Sequence, residues 1–190
     1  MMVFAKNAGA HKSLNEQFSG RTVRKEYVAL VHGRLENERG VIDRPLRQFG
    51  SGRIGVDEQA GKECVTEYEV AERFSDSADL PSPAEAGYAK AGAATSLSRR
   101  RKDFSLVRAY PLTGRQHQIR VHFYSLGHPI VGDRLYGERT IQSKYPRLML
   151  HAERLSFNLP TDKRMTLESP LPELFRKTLE GLDADSRTTP

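Results

Sequence analysis

The segment "LTGRQHQIRVHF", residues 112–123, brings Arg115, Arg120, Gln116, Gln118, His117 and His122 together in one short stretch. What these groups can do depends on the element that carries them. Thr113-Gly114 turns the chain, and Ile119, Phe123 and Leu126 then follow a helical spacing that ends at Gly127 before Pro129. The spacing therefore predicts a helix over 115–127 that starts directly after a strand. Such a start exposes unpaired backbone N–H groups and the positive end of the helix dipole, an arrangement that suits a phosphate. Arg115 would lie in the first turn, with His117 and Gln118 behind it. Arg120 would sit one turn further in. If it is buried, its guanidinium needs a carboxylate, because an unpaired buried charge is very costly. The same spacing also serves a solvated polar helix face, and spacing alone prefers that plainer reading.

Tyr27 lies in "RKEYVAL", beside the basic pair Arg24 and Lys25. A strand tyrosine usually belongs to a core with its hydroxyl satisfied locally. The alternative is a platform on which a nucleobase stacks. Asp133 and Tyr136, in "GDRLYG", read as turn chemistry ahead of a catalytic role. His151 reads as a hydrogen-bonded strand histidine, and Cys64 as a small buried apolar residue. The histidines are scattered and show no HExxH-like metal spacing. "GSGRIG" has glycines but neither the lysine nor the strand–helix setting of a phosphate loop. "RRRK", residues 99–102, can meet phosphates by charge alone or remain solvated.

Composition narrows the class. The 190 residues suit one globular domain, with 37% apolar residues and a single cysteine that leaves no internal disulfide. No long uncharged apolar run suggests a membrane span, and the opening residues are too short in apolar character for a secretory signal. A cytoplasmic protein is expected. Net charge is +6 and the isoelectric point is about 9.5, which favours a polyanionic partner, nucleic acid first.

The elements that must position these residues follow from periodicity. "MMVFAK" has strand-like residues at the very start. "NAGAHKSLNEQFSG" reads as a helix with Asn7 as N-cap, Leu14 and Phe18 on one side and Gly20 at its end. "EYVALVHGRL" reads as a strand, "ENERG" as a turn, and 41–63 as loops with short strands. In "CVTEYEVAERF", Val65, Tyr68 or Val70 can supply a buried face. In "DFSLVRAYPL", Phe104, Leu106, Tyr110 and Leu112 fall on one side. Residues 75–102, rich in small residues and proline, read as a flexible surface insertion. "PIVGDRLYGER" is a turn-rich connection, "RLMLHAERLSFNLP" and "RMTLESPLP" are two further strands, and "PELFRKTLEGL" is a short amphipathic helix. This mixture predicts an α+β fold with a mixed or antiparallel sheet. One domain is expected over 1–180, and a polar tail over 181–190.

Six stretches, in order, carry a resemblance: "VFAKNAGAH", "RTVRKEYVALVHG", "VIDRPL", "GKECVTEYEV", "PLTGRQHQIRVHFYSLGHPIVGDRLYG" and "LMLHAERLSF". Together they resemble the RluA-type pseudouridine synthases from about residue 1 to about residue 172, outside the insertion. The resemblance implies the catalytic fold of that family and isomerisation of a uridine in ribosomal or transfer RNA. The base is flipped out of its stack, cut from the sugar at nitrogen and rejoined through carbon. No cofactor and no metal is implied; RNA is the partner, with no membrane. Tyr27 matches the tyrosine that stacks on the uracil and is thought to take the C5 proton. Arg120 matches the arginine that pairs with and orients the catalytic aspartate. Arg115, His117 and Gln118 would build the RNA-facing edge, and Lys25 would bind RNA with them.

The family's aspartate lies in a segment like His-Arg-Leu-Asp-x-x-Thr-Ser-Gly, just ahead of the strand that "MMVFAKN" matches. The catalytic fold is therefore expected to be incomplete at its N-terminus, with Arg120 lacking its partner and a sheet edge open to self-association. No other aspartate stands in as nucleophile. Three readings follow: part of a working synthase, an RNA-binding remnant without catalysis, or an inactive piece that needs a partner.

Overall fold

The computed structural model describes residues 1–76, 102–161 and 163–184. Helix α1 spans Ala8–Ser19. Strands β1 (Arg24–His32), β2 (Arg39–Asp43), β3 (Leu46–Gln48), β4 (Ile54–Val56), β5 (Val65–Asp76) and β6 (Lys102–Pro111) follow. Then come α2 (Gln118–Ser125), α3 (Arg139–Gln142), β7 (Leu150–Asn158), β8 (Arg164–Glu168), α4 (Glu173–Glu180) and β9 (Asp183–Ala184). The large sheet has the order β2-β5-β6-β1-β7-β8, with β9 also on β5, while β3 and β4 form a separate hairpin. Every pairing among these strands is antiparallel. The α+β expectation holds, and its sheet resolves to the antiparallel alternative.

Strand β1 lies between β6 and β7. Val28, Ala29, Leu30 and Val31 are four consecutive buried residues, which requires cover on both faces of the sheet. They join Phe104, Val107, Ile119, Phe123, Ile130, Met149 and Phe175 in one core. A smaller cluster of Leu46, Ile54, Cys64, Val121 and Tyr136 packs the β3–β4 hairpin against α2. Cys64 is buried, as its apolar reading requires.

Several local expectations meet tertiary corrections. "MMVFAK" is not a strand: residues 1–5 lie outside the sheet, with Met2 and Phe4 about four-fifths exposed. Asn7 does cap α1, accepting from the Ala10 N–H at 2.8 Å, and Gly20 ends it, yet no residue of α1 is buried. In β6 the fully buried phase is Ser105, Val107 and Ala109 together with Phe104, whereas Leu112 is exposed. Apolar residues occur in both phases of this strand, so alternation alone cannot choose the face. Strands β5 and β6 extend through Ser75, Asp76 and Lys102, which narrows the insertion; residues 77–101 lie outside the described residues, as do 185–190. The polar tail expected from residue 181 contributes β9, paired with Phe74 and Ser75. The sheet ends in two short, charged strands, β2 and β8, a pattern that discourages edge pairing and lends no support to self-association. Among the described residues no helix is long and apolar enough to cross a membrane.

Gly132 is required by a close approach. Its φ is +77°, and a Cβ there would fall 1.8 Å from the Arg147 carbonyl oxygen. Gly114 has open space and no such φ. Gly132→Ala is expected to cost more than about 2 kcal/mol, and Gly114→Ala close to nothing, by urea unfolding of the two variants.

Candidate active site

The helix of the opening segment begins at Gln118, three residues later than its spacing predicts. The cause is a side chain. Gln118 Oε1 accepts from the Thr113 hydroxyl at 2.8 Å and from the Arg115 N–H at 3.0 Å. Its amide nitrogen donates to the Val65 carbonyl at 2.8 Å and to Thr66 Oγ1 at 2.9 Å. Residues 115–117 are thereby held as a turn, and His117 adopts a left-handed φ of 54° that no helix accommodates. Arg115 therefore precedes the helix, and Arg120 lies within its first turn. Gln118 is 4% exposed with both ends of its amide occupied, so it shapes the turn from inside and does not face RNA.

His122, on the same helix, is fully buried. Its Nε2 lies 3.1 Å from the Arg44 carbonyl and its Nδ1 2.9 Å from Thr66 Oγ1. A carbonyl only accepts, so Nε2 carries the proton and Nδ1 accepts from the Thr66 hydroxyl. Thr66 in turn accepts from Gln118, and the chain of donors closes on a neutral imidazole. Burial holds this ring below the usual imidazole range, against the opposite pull of the Arg44 carbonyl.

Arg120 has a partner within the chain. Its Nε and Nη2 donate to Asp133 Oδ2 and Oδ1 at 2.7 and 2.8 Å, a bidentate pair with Arg120 17% exposed and Asp133 fully buried. Asp133 Oδ1 also accepts from the N–H groups of Leu135 at 3.0 Å and Tyr136 at 3.1 Å. The turn role read for Asp133 is present, and the pairing with Arg120 is added to it. Burial alone would raise the Asp133 carboxyl; Arg120 and the two N–H groups outweigh it and hold it below the usual carboxylate range. The Arg120 guanidinium lies 4.9 Å from the centre of the Tyr136 ring. The Tyr136 hydroxyl lies 2.9 Å from His117 Nδ1. Burial, helped by Arg120, keeps His117 below its ordinary range, so the contact joins two neutral groups.

Tyr27 shares a sheet face with this helix. Gly40, Tyr68, Ala109, Tyr27 and Ala152 form one transverse row across β2, β5, β6, β1 and β7. Residues in such a row project to the same side. Tyr68 meets Phe123 of α2 edge-on at 5.6 Å, which places α2 on that side. Gly40 leaves room for the Tyr68 ring, which a Cβ would approach within 2.6 Å. The small neighbours Ala109 and Ala152 leave Tyr27 half-buried, and burial raises its phenol above the ordinary range. A cavity of about 440 Å³ lies beside Arg120, walled by Asp133, Arg134, Arg147 and Leu148. Arg147 donates from Nη2 to the Leu150 carbonyl at 3.4 Å, and Leu150 stands opposite Ala29, two residues from Tyr27. Tyr27 itself is not part of the cavity wall.

The remaining basic residues gather at the other side of the turn. Lys25 Nζ donates to the Thr113 carbonyl at 2.8 Å, and Arg115 Nε donates to the Glu63 carbonyl at 3.2 Å. Arg21 grips the Glu63 carboxylate with two bonds of 2.9 and 2.8 Å. Burial, then Arg21, lowers the Lys25 ammonium. Asp133 as the partner of Arg120 was not found from sequence. The signal was indirect: an arginine expected to be buried, and an aspartate thirteen positions on in a turn motif. His151 Nε2 lies 2.9 Å from the Ser169 carbonyl, as its structural reading requires. Among the described residues no group of three or more His, Cys, Asp or Glu could hold a metal.

The chain has counterparts among known proteins. The RNA pseudouridylate synthase family model matches residues 1–125. The chain is 35% identical over 190 residues to the uncharacterized RNA pseudouridine synthase YlyB of Bacillus subtilis, covering 96% of this chain and 52% of that protein. It is 34% identical over 173 residues to the dual-specificity RNA pseudouridine synthase RluA of Escherichia coli K12, covering 90% and 67%. The solved structure of human RNA pseudouridylate synthase domain containing 1 superposes with a TM-score of 0.70 at 30% identity, over 95% of this chain and 67% of that one. The chain belongs to the RNA pseudouridylate synthase family and, within it, to the RluA type. It spans about half the length of the B. subtilis relative.

Removing the Asp133 charge leaves Arg120 buried and unpaired. Asp133→Asn is expected to destabilise the chain by about 3–5 kcal/mol in urea unfolding, and Arg120→Met added to it should restore part of that loss. One buried and two half-buried histidines predict the pH response. His122, His32 and His117 all have lowered values, burial being the leading cause. Below the ordinary imidazole value of about 6.5 the unfolded chain binds more protons than the folded one, so stability falls as pH drops. The melting temperature should decline from about pH 7.5 to about pH 5.5, and His122→Gln should flatten that slope.

Proposed function

We propose that this chain forms the Tyr27- and Arg120-bearing part of an enzyme that isomerises uridine to pseudouridine in ribosomal or transfer RNA. The observation that carries this reading is Arg120, paired with the buried Asp133, on the helix that packs over the sheet face bearing Tyr27; Tyr27 and Arg120 both fall within the residues 1–125 that the family model matches. Asp133 occupies the Nε/Nη2 side of the guanidinium. The Nη1 end is left for a second acid, the aspartate of the resemblance. Arg120 then bridges a structural carboxylate and a reacting one. Tyr27 serves as the platform for the uracil ring and, as the resemblance implies, as the group that takes its C5 proton. Arg115 and Lys25, held on the carbonyls of Glu63 and Thr113, take RNA phosphates, and His117 positions Tyr136 behind Arg120.

The same geometry argues against Asp133 as nucleophile. Its side chain is fully buried and both oxygens are engaged, one of them by three donors. On the resemblance, the reacting carboxylate is assigned to the aspartate motif that these 190 residues do not contain, and the chain by itself is read as an RNA-binding piece without turnover. RNA carrying tritium at uridine C5 tests this. No tritium release is expected from the 190-residue chain, whereas a longer parent chain that supplies the aspartate should release it and lose activity as Arg120→Lys. Turnover by the 190 residues alone would place the nucleophile among them. RNA affinity should fall steeply with added salt; equal binding at low and high salt would remove Arg115 and Lys25 from the phosphate-contact role.

A further inference from the structure

Tyr136 meets two guanidiniums. Its ring lies 4.9 Å from the Arg120 guanidinium. It also lines a separate groove of about 310 Å³ between the β3–β4 hairpin and α2. Its floor is Ile54, Val121 and Tyr136, and its rims are Phe49 and Tyr124, 43% and 46% exposed. Phe49 rests on the backbone of Gly55, where a Cβ would come within 2.8 Å of its ring, so the exposed ring has a fixed seat. Tyr124 lies 6.2 Å from Tyr136, tilted by 47°. Arg53 holds its guanidinium 5.3 Å from the Tyr136 ring centre, and among the described residues no carboxylate pairs with it. Its neighbour Arg47 is already paired, with Asp57 at 3.2 Å.

Resting on the reading of the chain as an RNA-acting protein, we infer that this groove holds a nucleotide of single-stranded RNA next to the one presented at Arg120. The rings of Phe49 and Tyr124 stack on its base, and Arg53 takes its phosphate. The volume lies at the lower end of small-molecule sites, which suits one nucleotide. Charge selects RNA over an apolar peptide: a peptide would strip water from an unpaired guanidinium and return no anion, whereas a nucleotide brings both a π-face and a phosphate. Arg53 and Arg120 each lie within 5.3 Å of the same ring centre, so one strand can reach both. A base in the groove thereby presses on the ring that seats Arg120.

The test measures binding of fluorescein-labelled single-stranded oligouridylate to the 190-residue chain by fluorescence polarisation, beside an abasic oligonucleotide of equal length. The double variant Phe49→Ala/Tyr124→Ala is expected to weaken oligouridylate binding about tenfold and leave the abasic strand nearly unchanged. Arg53→Gln should weaken both. Phe49→Tyr should bind like the parent, which separates lost stacking from lost folding, with thermal melts run on every variant. Oligouridylate binding that survives both the double variant and Arg53→Gln overturns the groove alone. A parent chain that binds no oligonucleotide at all overturns the groove and the RNA reading together. A dimer in sedimentation that dissociates in the double variant would mean that a second copy covers the groove, which also overturns it.

Discussion

A guanidinium largely withdrawn from water governs the arrangement of residues 112–136. Arg120 is charged under all ordinary conditions, and burying it without an acid would cost more than a small domain can sustain. Asp133 meets it in two hydrogen bonds and at the same time closes the turn that carries Tyr136. That turn lies against 147–148 only because Gly132 has no side chain. Helix α2, the turn after it and the approach to β7 are thus locked by one ion pair.

The polar residues of the opening segment divide by the side of α2 on which they fall. Gln118 and His122 point at β5 and satisfy Thr66 and the carbonyls of Val65 and Arg44. Arg120 and His117 point towards Asp133 and Tyr136. Arg115 remains near the surface. A stretch that resembles a basic RNA-binding face is therefore mostly an internal scaffold. Only part of it is left to meet a ligand, and that part is aimed by the rest.

This division bears on the proposed function. An arginine with one side held by a permanent carboxylate offers its other end in a fixed direction. That is how a guanidinium can orient a second acid without wandering, since its own rotamer freedom is already removed by the first pair and by the Tyr136 ring. Tyr27 is prepared in a comparable way: alanines on both sides in its row leave its ring a broad, half-buried seat.

Much was legible from order and spacing. The family follows from the resemblance of six stretches in order; the α+β class, the cap of α1 at Asn7 and the principal strands follow from local residue patterns, because turns, caps and periodicity are short-range properties. So does the turn role of Asp133. What tertiary structure alone decided is which of two chemically adequate partners each polar group takes. The carboxylate for Arg120 comes from thirteen residues downstream, the start of α2 is set by a side chain that bonds back to β5, and the buried phase of β6 is chosen by what covers each face. Nothing in a linear spacing encodes these choices, because a buried charge or amide must be satisfied by whichever group the fold brings within about 3 Å.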